Sequence, residues 1–387
     1  MQSSRLSQLP PYLFVEIDRK KRAHIESGRE ILDLGIGDPD LGAPPELLAA
    51  LEEALGNREY DRYPPDRGLP ALIDAVRGWA SEHHGVSLND DEILVTIGSK
   101  EAIGHLPLAV ADPGSVVLIP DPGYPVYNSS AVFAGAEPVR MRLPGSNGFW
   151  PDLGSVDRDH LDRARLIYLN YPNNPTSAVA SAEKFSGALE LCGRHGMILV
   201  NDAAYSEIYF DERPPSLFPA ARDSGVPYVE LFSFSKTFSV TGWRIGFAIG
   251  SPEVVSALAR LKANVDSGVF GAVQAAAARA LSNEYEKITG RIIDVYSERR
   301  EILAEHLARG GFSFERPEAT FYFWIEVPGG EGSIDFCARL LDETGIVATP
   351  GVGFGPGGEG YFRLSLTTST DTIRRAGKKL EERGSGN

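Results

Sequence analysis

The sequence predicts an α/β protein, with a mostly parallel central sheet in a large domain and a smaller α+β domain beside it. Three observations carry this expectation. The chain has 387 residues, enough for two domains of roughly 150 residues or more each. From about residue 68 onward, short apolar, β-branched runs alternate with amphipathic segments, the pattern of a buried parallel sheet covered by helices. After Phe270 that alternation stops and gives way to a long helical stretch followed by a mixture of strands and helices.

Taken in order, the predicted strands of the large domain are EILVTI (92–97), SVVLIP (115–120), AEPVRM (136–141), RLIYLN (165–170), MILVND (197–202), YVELFSF (228–234) and RIGFAIG (244–250). Helical patterns fall at 68–82, 100–110, 181–195 and 252–264. The stretch 102–120 is apolar but interrupted by Pro107, Asp112, Pro113 and Gly114, so it reads as helix, turn and strand rather than a membrane span. A helical stretch runs from Phe270 to about Arg309. SFERPEATFYFWIEV, a helix from Ile334 to Glu343, GIVATP, YFRLSL and a final helix then make the α+β part. The expected division is 46–285 for the large domain and 1–45 together with 286–387 for the small one, with Pro39, Pro44 and Pro45 punctuating the crossover.

A net charge of −15 and no strongly basic domain-length segment argue against nucleic acid and anionic membranes as partners. The run Arg19-Lys20-Lys21-Arg22 lies among Glu16, Asp18 and Glu26 at helical spacing and reads as a solvated helix face. Cys192 and Cys337 form no CxxC, and MQSSRLSQLPPYLF has no apolar leader core, so a reducing cytoplasm is expected. The seven histidines show no HExxH or other ligand spacing. His83, His84 and His195 read as solvated helix-end residues, and no metal is expected. GSGN at the C-terminus is the one low-complexity tract noted.

The candidate chemistry lies at strand ends, where open α/β sheets place ligands. The first large-domain strand runs into Gly98-Ser99-Lys100-Glu101, which opens a helix, and such an N-terminus can hold a phosphate. Ser99 acting simply as an N-cap is the bland alternative. YPNNPT presents Asn174, NDAAYSE presents Asp202 and Tyr205, and SFSKTFSVTGWRIG presents Ser233, Lys236 and Arg244. A lysine among cations and apolar groups can expose a neutral amine for a Schiff base. A carboxylate able to hold a pyridine nitrogen, hydroxyls and an arginine for a phosphate, and an aromatic such as Tyr124 for stacking complete the set that pyridoxal phosphate needs.

These motifs, in this order and with YFRLSL near the end, resemble the class I/II aminotransferases, fold type I pyridoxal phosphate enzymes, along nearly the whole chain. The resemblance implies that Lys236 carries the cofactor, Asp202 pairs with its ring nitrogen, and Asn174 and Tyr205 contact the ring 3-oxygen. It implies Ser99, Lys100, Ser233 and Arg244 at the phosphate and Tyr124 stacked on the ring. Arg363, helped by the backbone of Gly35 and Gly37, matches the clamp for the substrate α-carboxylate. Tyr63 matches a tyrosine reaching the neighbouring subunit's phosphate, implying a homodimer with shared sites acting on small amino and 2-oxo acids.

A narrower resemblance is to LL-diaminopimelate aminotransferases, through LPPYLFVEID, LGIGDPDL, IGSKEAIGHLPLA, PDPGYPVY, NVDSGVF, ATFYFW and TPGVGFGPGGEGYFRLSL. It implies exchange of an amino group between LL-2,6-diaminopimelate and 2-oxoglutarate in lysine biosynthesis, with ping-pong kinetics. Aspartate- or alanine-type and N-succinyl-diaminopimelate enzymes are the alternatives. Asp66, in YPPDRG, is the expected partner of the distal ammonium, a turn aspartate being the other reading. The family's glutamate and aromatic in that loop are missing here, and Ser177 replaces the usual glycine after NPT. Ser233–Lys236 also spells S-x-x-K, but without SDN and KTG partners. Gly353, Gly355 and Gly358 spell GxGxxG away from any βαβ opening and read as a flexible turn.

Overall fold

The computed structural model describes residues 2–9, 15–282 and 284–385. Residues 10–14 of the LPPYLFVEID motif and the last two of GSGN lie outside them. The strands are β1 (Leu32–Asp33), β2 (Ile93–Thr96), β3 (Val116–Asp121), β4 (Glu137–Arg142), β5 (Ala164–Leu169), β6 (Ile198–Asp202), β7 (Tyr228–Ser233), β8 (Gly246–Gly250), β9 (Tyr322–Glu326), β10 (Ile346–Val347), β11 (Thr349–Pro350) and β12 (Tyr361–Ser365). All seven predicted large-domain runs enter one sheet, ordered β2-β8-β7-β6-β5-β3-β4. It is parallel from β7 to β4 and antiparallel on both sides of β8. β11, β12 and β9 form an antiparallel sheet, and β1 pairs in parallel with β10.

Both faces of the large sheet are apolar, which is why its strands read as continuous hydrophobic runs. Leu94, Val117, Ile119, Leu166, Val200, Val229 and Leu231 pack into one core cluster. Their neighbours Ile93, Val95, Val116, Leu118, Ile167, Leu199 and Phe232 pack into another. Successive residues point to opposite faces, so each strand feeds both layers. The helices Ser99–Val110 and Pro252–Val265 cover the first face. Pro70–His84 and Ala182–His195 contribute to the second cluster.

Several expectations change. The stretch after Phe270 is two helices, Gly271–Ser282 and Tyr285–Arg309. The basic run is not a purely solvated face: Lys20 pairs with Asp342 at 2.7 Å, and Lys21 pairs with Asp33. His84 is packed edge-on against Trp79 and Phe218, and burial pulls its pKa down to about 4, with Arg213 and His83 adding to the effect. The glycines of GxGxxG form two tight turns pinned to the sheet, with Gly357 N–H donating to Asp121 Oδ1 at 2.9 Å.

Candidate active site

β8 is antiparallel to both β7 and β2, so β2 runs in the same sense as β7. The C-terminal ends of β2, β3, β5, β6 and β7 therefore meet at one sheet edge. A cavity of about 690 Å³ opens there, and every expected site residue except Tyr63 and Asp66 lines it. Tyr63 is 86% exposed and Asp66 is exposed, both on the loop before the helix Pro70–His84.

Lys236 sits in the short helix Phe234–Thr237 that follows β7. Its Nζ donates to Gly37 O at 2.9 Å. Burial pulls its pKa down to about 8; Asp38 opposes that shift, while Arg363 and Arg244 add to it. A neutral amine is thus within reach near neutral pH, as a nucleophilic lysine requires. Across the cavity Asp202, at the end of β6, is 5% exposed. Tyr127 OH donates to its Oδ2 at 2.8 Å, while its Oδ1 is buried with no protein partner. Burial raises its pKa to about 6, against the opposing Tyr127 hydroxyl and Ala204 N–H. Asn170 Nδ2 holds the Asp202 carbonyl at 2.6 Å.

Arg363, on β12, reaches in from the smaller sheet. Its Nη1 donates to Asn174 Oδ1 at 2.7 Å and its Nη2 to Gly35 O at 3.0 Å. The guanidinium lies 4.0 Å from the centroid of the Tyr322 ring, and Nε is buried without a partner. Tyr322 OH in turn lies 2.9 Å from Tyr205 OH, and a Cβ at Gly37 would run into that hydroxyl. Tyr124 stands edge-on to Tyr127 at the cavity wall.

The remaining wall is built of cations and hydroxyls. Gly98, at φ 70°, is the N-cap of the helix Ser99–Val110, so Ser99 is its first helical residue and not the cap. A Cβ on Gly98 would lie 2.6 Å from Arg244 Nη2, which donates to Ile97 O at 3.3 Å. Arg244 Nη1 is held by Thr241 O at 2.9 Å. Ser233, buried, caps Ser235 N–H at 3.3 Å. With Lys100, this wall offers positive charge, hydroxyls and a helix N-terminus together, the setting that suits a phosphate.

Ser177 has a structural account. Its φ is 63°, the left-handed region where glycine is the easy choice. The serine hydroxyl donates to Tyr322 O at 2.7 Å and lies 2.9 Å from Thr320 Oγ1, tying the YPNNPT turn to the strand behind Arg363. The sequence reading missed Tyr127, Asn170 and Tyr322. Tyr127 lies in the first turn of the helix Val126–Ala134, after Tyr124, and neither Tyr127 nor Tyr322 carries a local signal of its place in the cavity.

Residues 29–380 match the family model described as aminotransferase class I and II. The chain belongs to the class I and II aminotransferases. It is 46% identical to LL-diaminopimelate aminotransferase of Aquifex aeolicus (strain VF5) over 383 residues, 98% of each chain. Among solved structures it resembles substrate-bound BacF from Bacillus subtilis, with a TM-score of 0.93 and 35% identity over 99% of this chain and 98% of that one. It also resembles a mutant of Thermus thermophilus aspartate aminotransferase, with a TM-score of 0.92 and 28% identity over 99% of each. The α/β fold is therefore that of fold type I, and this aminotransferase is a pyridoxal phosphate-dependent enzyme.

The cavity fits that group: the partnerless, buried Asp202 Oδ1 matches a protonated ring nitrogen, the depressed Lys236 amine matches an aldehyde, and the Ser99–Arg244 wall matches a phosphate. Elsewhere, Glu101, His105 and Asp266 bring one ligand atom each within 4.8 Å of one another, as a metal site would. The Lys262 ammonium already stands among them, 2.9 Å from Glu101 and 2.6 Å from Asp266. Among the described residues no helix is long and apolar enough to cross a membrane.

Proposed function

We propose that this aminotransferase moves an amino group between LL-2,6-diaminopimelate and 2-oxoglutarate, in the tetrahydrodipicolinate and glutamate exchange of lysine biosynthesis. The observation that carries the substrate is the 46% identity, over 98% of both chains, with a relative of that name. The aspartate-type alternative leans on 28% identity to a structural neighbour. We further propose a cytoplasmic homodimer with shared sites, in which the exposed Tyr63 and Asp66 reach the neighbouring subunit's cavity.

Lys236 would hold pyridoxal phosphate through Nζ, Asp202 through its ring nitrogen, and Asn174 and Tyr205 at its 3-oxygen. Tyr124 would stack on the ring, while Ser99, Lys100, Ser233, Arg244 and Tyr63 of the partner subunit would hold the phosphate. When bound, the group supplies an electron sink that acidifies the substrate Cα–H. Arg363 orients the α-carboxylate by two parallel N–H donors, its plane fixed against Tyr322. Lys236 Nζ, about half neutral at pH 8, would accept the Cα proton as general base and, once protonated, would serve as the general acid. The Tyr205–Tyr322 pair and Asn174 line the polar side of the cavity beside Arg363. Because one cavity serves both amino and oxo acids in turn, initial rates should follow a ping-pong pattern.

The test is a spectral titration of the loaded protein with LL-diaminopimelate, glutamate, aspartate and alanine, each alone. Loss of the lysine-bound cofactor band with LL-diaminopimelate and glutamate alone supports the proposal. Loss with aspartate or alanine instead moves the enzyme to the alternative. An unchanged diaminopimelate rate in Asp66→Ala removes the distal role from that residue.

A further inference from the structure

The wall expected to hold the phosphate is kept in shape from behind by a buried charge network that the proposed chemistry does not use. The residue at its centre is Glu101, third in the helix Ser99–Val110. Its Oε2 accepts from the Ile97 N–H at 2.5 Å, so the carboxylate reaches back over the helix start. Ile97 O meanwhile accepts from Arg244. Ile97, the residue that leads into Gly98 and Ser99, is thus held at both its backbone N–H and its C=O. Lys262, 2% exposed on the neighbouring helix, donates to the same Glu101 oxygen at 2.9 Å and to Asp266 Oδ1 at 2.6 Å. His105 adds a third contact, 3.3 Å from Glu101 Oε1. Burial by itself would push the Glu101 carboxyl up; His105, the Ile97 N–H and Lys262 outweigh it and hold the group below its ordinary value.

We propose that Glu101 is a positioning residue for the cofactor phosphate: it fixes the Ile97–Ser99 turn by accepting the Ile97 N–H, and the buried Lys262 keeps its carboxylate in place. Neither side chain lines the cavity, so both act through the turn. A charged carboxylate with no cation would not stay buried there. Without its oxygen at the Ile97 N–H, the Gly98 turn loses the contact that sets where the Ser99 amide and hydroxyl point.

This inference rests on the pyridoxal phosphate reading, and the test separates the two. Pyridoxal phosphate is titrated into cofactor-free wild type, Lys262→Met, Glu101→Gln/Lys262→Met and Glu101→Met/Lys262→Met. Dissociation constants, the ³¹P resonance of the bound phosphate and Tm are read for each. Both double variants remove the Glu101 and Lys262 charges and leave Asp266 in the same state, but only the glutamine keeps an acceptor for the Ile97 N–H. The expected result is affinity about tenfold weaker in Lys262→Met and in the double methionine, the cost of roughly one charge-assisted hydrogen bond. Affinity should return to within about threefold of wild type in Glu101→Gln/Lys262→Met, with the ³¹P resonance displaced only in the weak binders. If the two double variants bind alike and differ only in Tm, the network is packing and the inference is overturned. Should Lys262→Met fail to fold, the double variants still decide. A wild type that binds no pyridoxal phosphate would instead sink the reading beneath it.

Discussion

Lys236 should titrate far below an ordinary lysine in the cofactor-free protein, and the consequence is large. With a pKa of about 8, about a quarter of the amine is neutral at pH 7.5, against about one part in a thousand at 10.5, a gain of roughly 200-fold in reactive form. The assay is the pH dependence of Lys236 modification by trinitrobenzenesulfonate, with the site assigned by peptide mass. The rate should reach half its plateau near pH 8. Because desolvation is the leading cause, Arg363→Met should raise that midpoint by less than about one unit, the scale of a single neighbouring charge. Asp38→Asn should lower it, since Asp38 favours the ammonium. The same shift bears on stability. The folded pKa is depressed, so the unfolded chain binds more protons between about 8 and 10.5, and stability rises with pH across that window. Below it the fold carries a penalty of about 3 kcal/mol, the free-energy equivalent of the shift. Lys236→Met should therefore raise the Tm of cofactor-free protein at pH 7 and flatten its rise toward pH 10. A modification midpoint at pH 10 or above, with no stabilisation by methionine, would refute the reasoning.

Three further outcomes are expected. Asp202→Asn keeps the shape and the Tyr127 contact but removes the charge, so kcat should fall on the order of 100-fold or more while far-UV circular dichroism stays unchanged. Arg363→Lys loses the planar fork, and KM for amino donors should rise about 10-fold to 100-fold in steady-state assays. Ser177→Ala removes two buried hydroxyl contacts and should cost about 1–3 kcal/mol in denaturant melts. Ser177→Gly should cost about 1 kcal/mol less than that, because glycine adopts the positive φ freely.

Much of the sheet and the site was legible before any coordinates. Strands β2, β3, β5, β6 and β7 are buried along almost their whole length, so each appears as a largely apolar run with a polar residue at or just past its end. Lys236, Asp202, Asn174 and Ser99 were found because each follows its strand directly, a relation local in sequence. Where the sequence misled, the deciding contact came from far along the chain. His84 looks like a solvated helix-end residue until Phe218 covers it, and Lys20 looks solvated until Asp342 meets it. The same holds for the catalytic setting. The sequence by itself determined the fold class, the strand-end chemistry and the family, because apolar period and motif order are one-dimensional. Only the tertiary structure decided that Lys236 is desolvated beside Arg363, that Asp202 keeps one free buried oxygen, and that Glu101 grips the Ile97 N–H while paired with Lys262. Desolvation and hydrogen-bond satisfaction depend on which distant segments close over a group, and no local pattern encodes that.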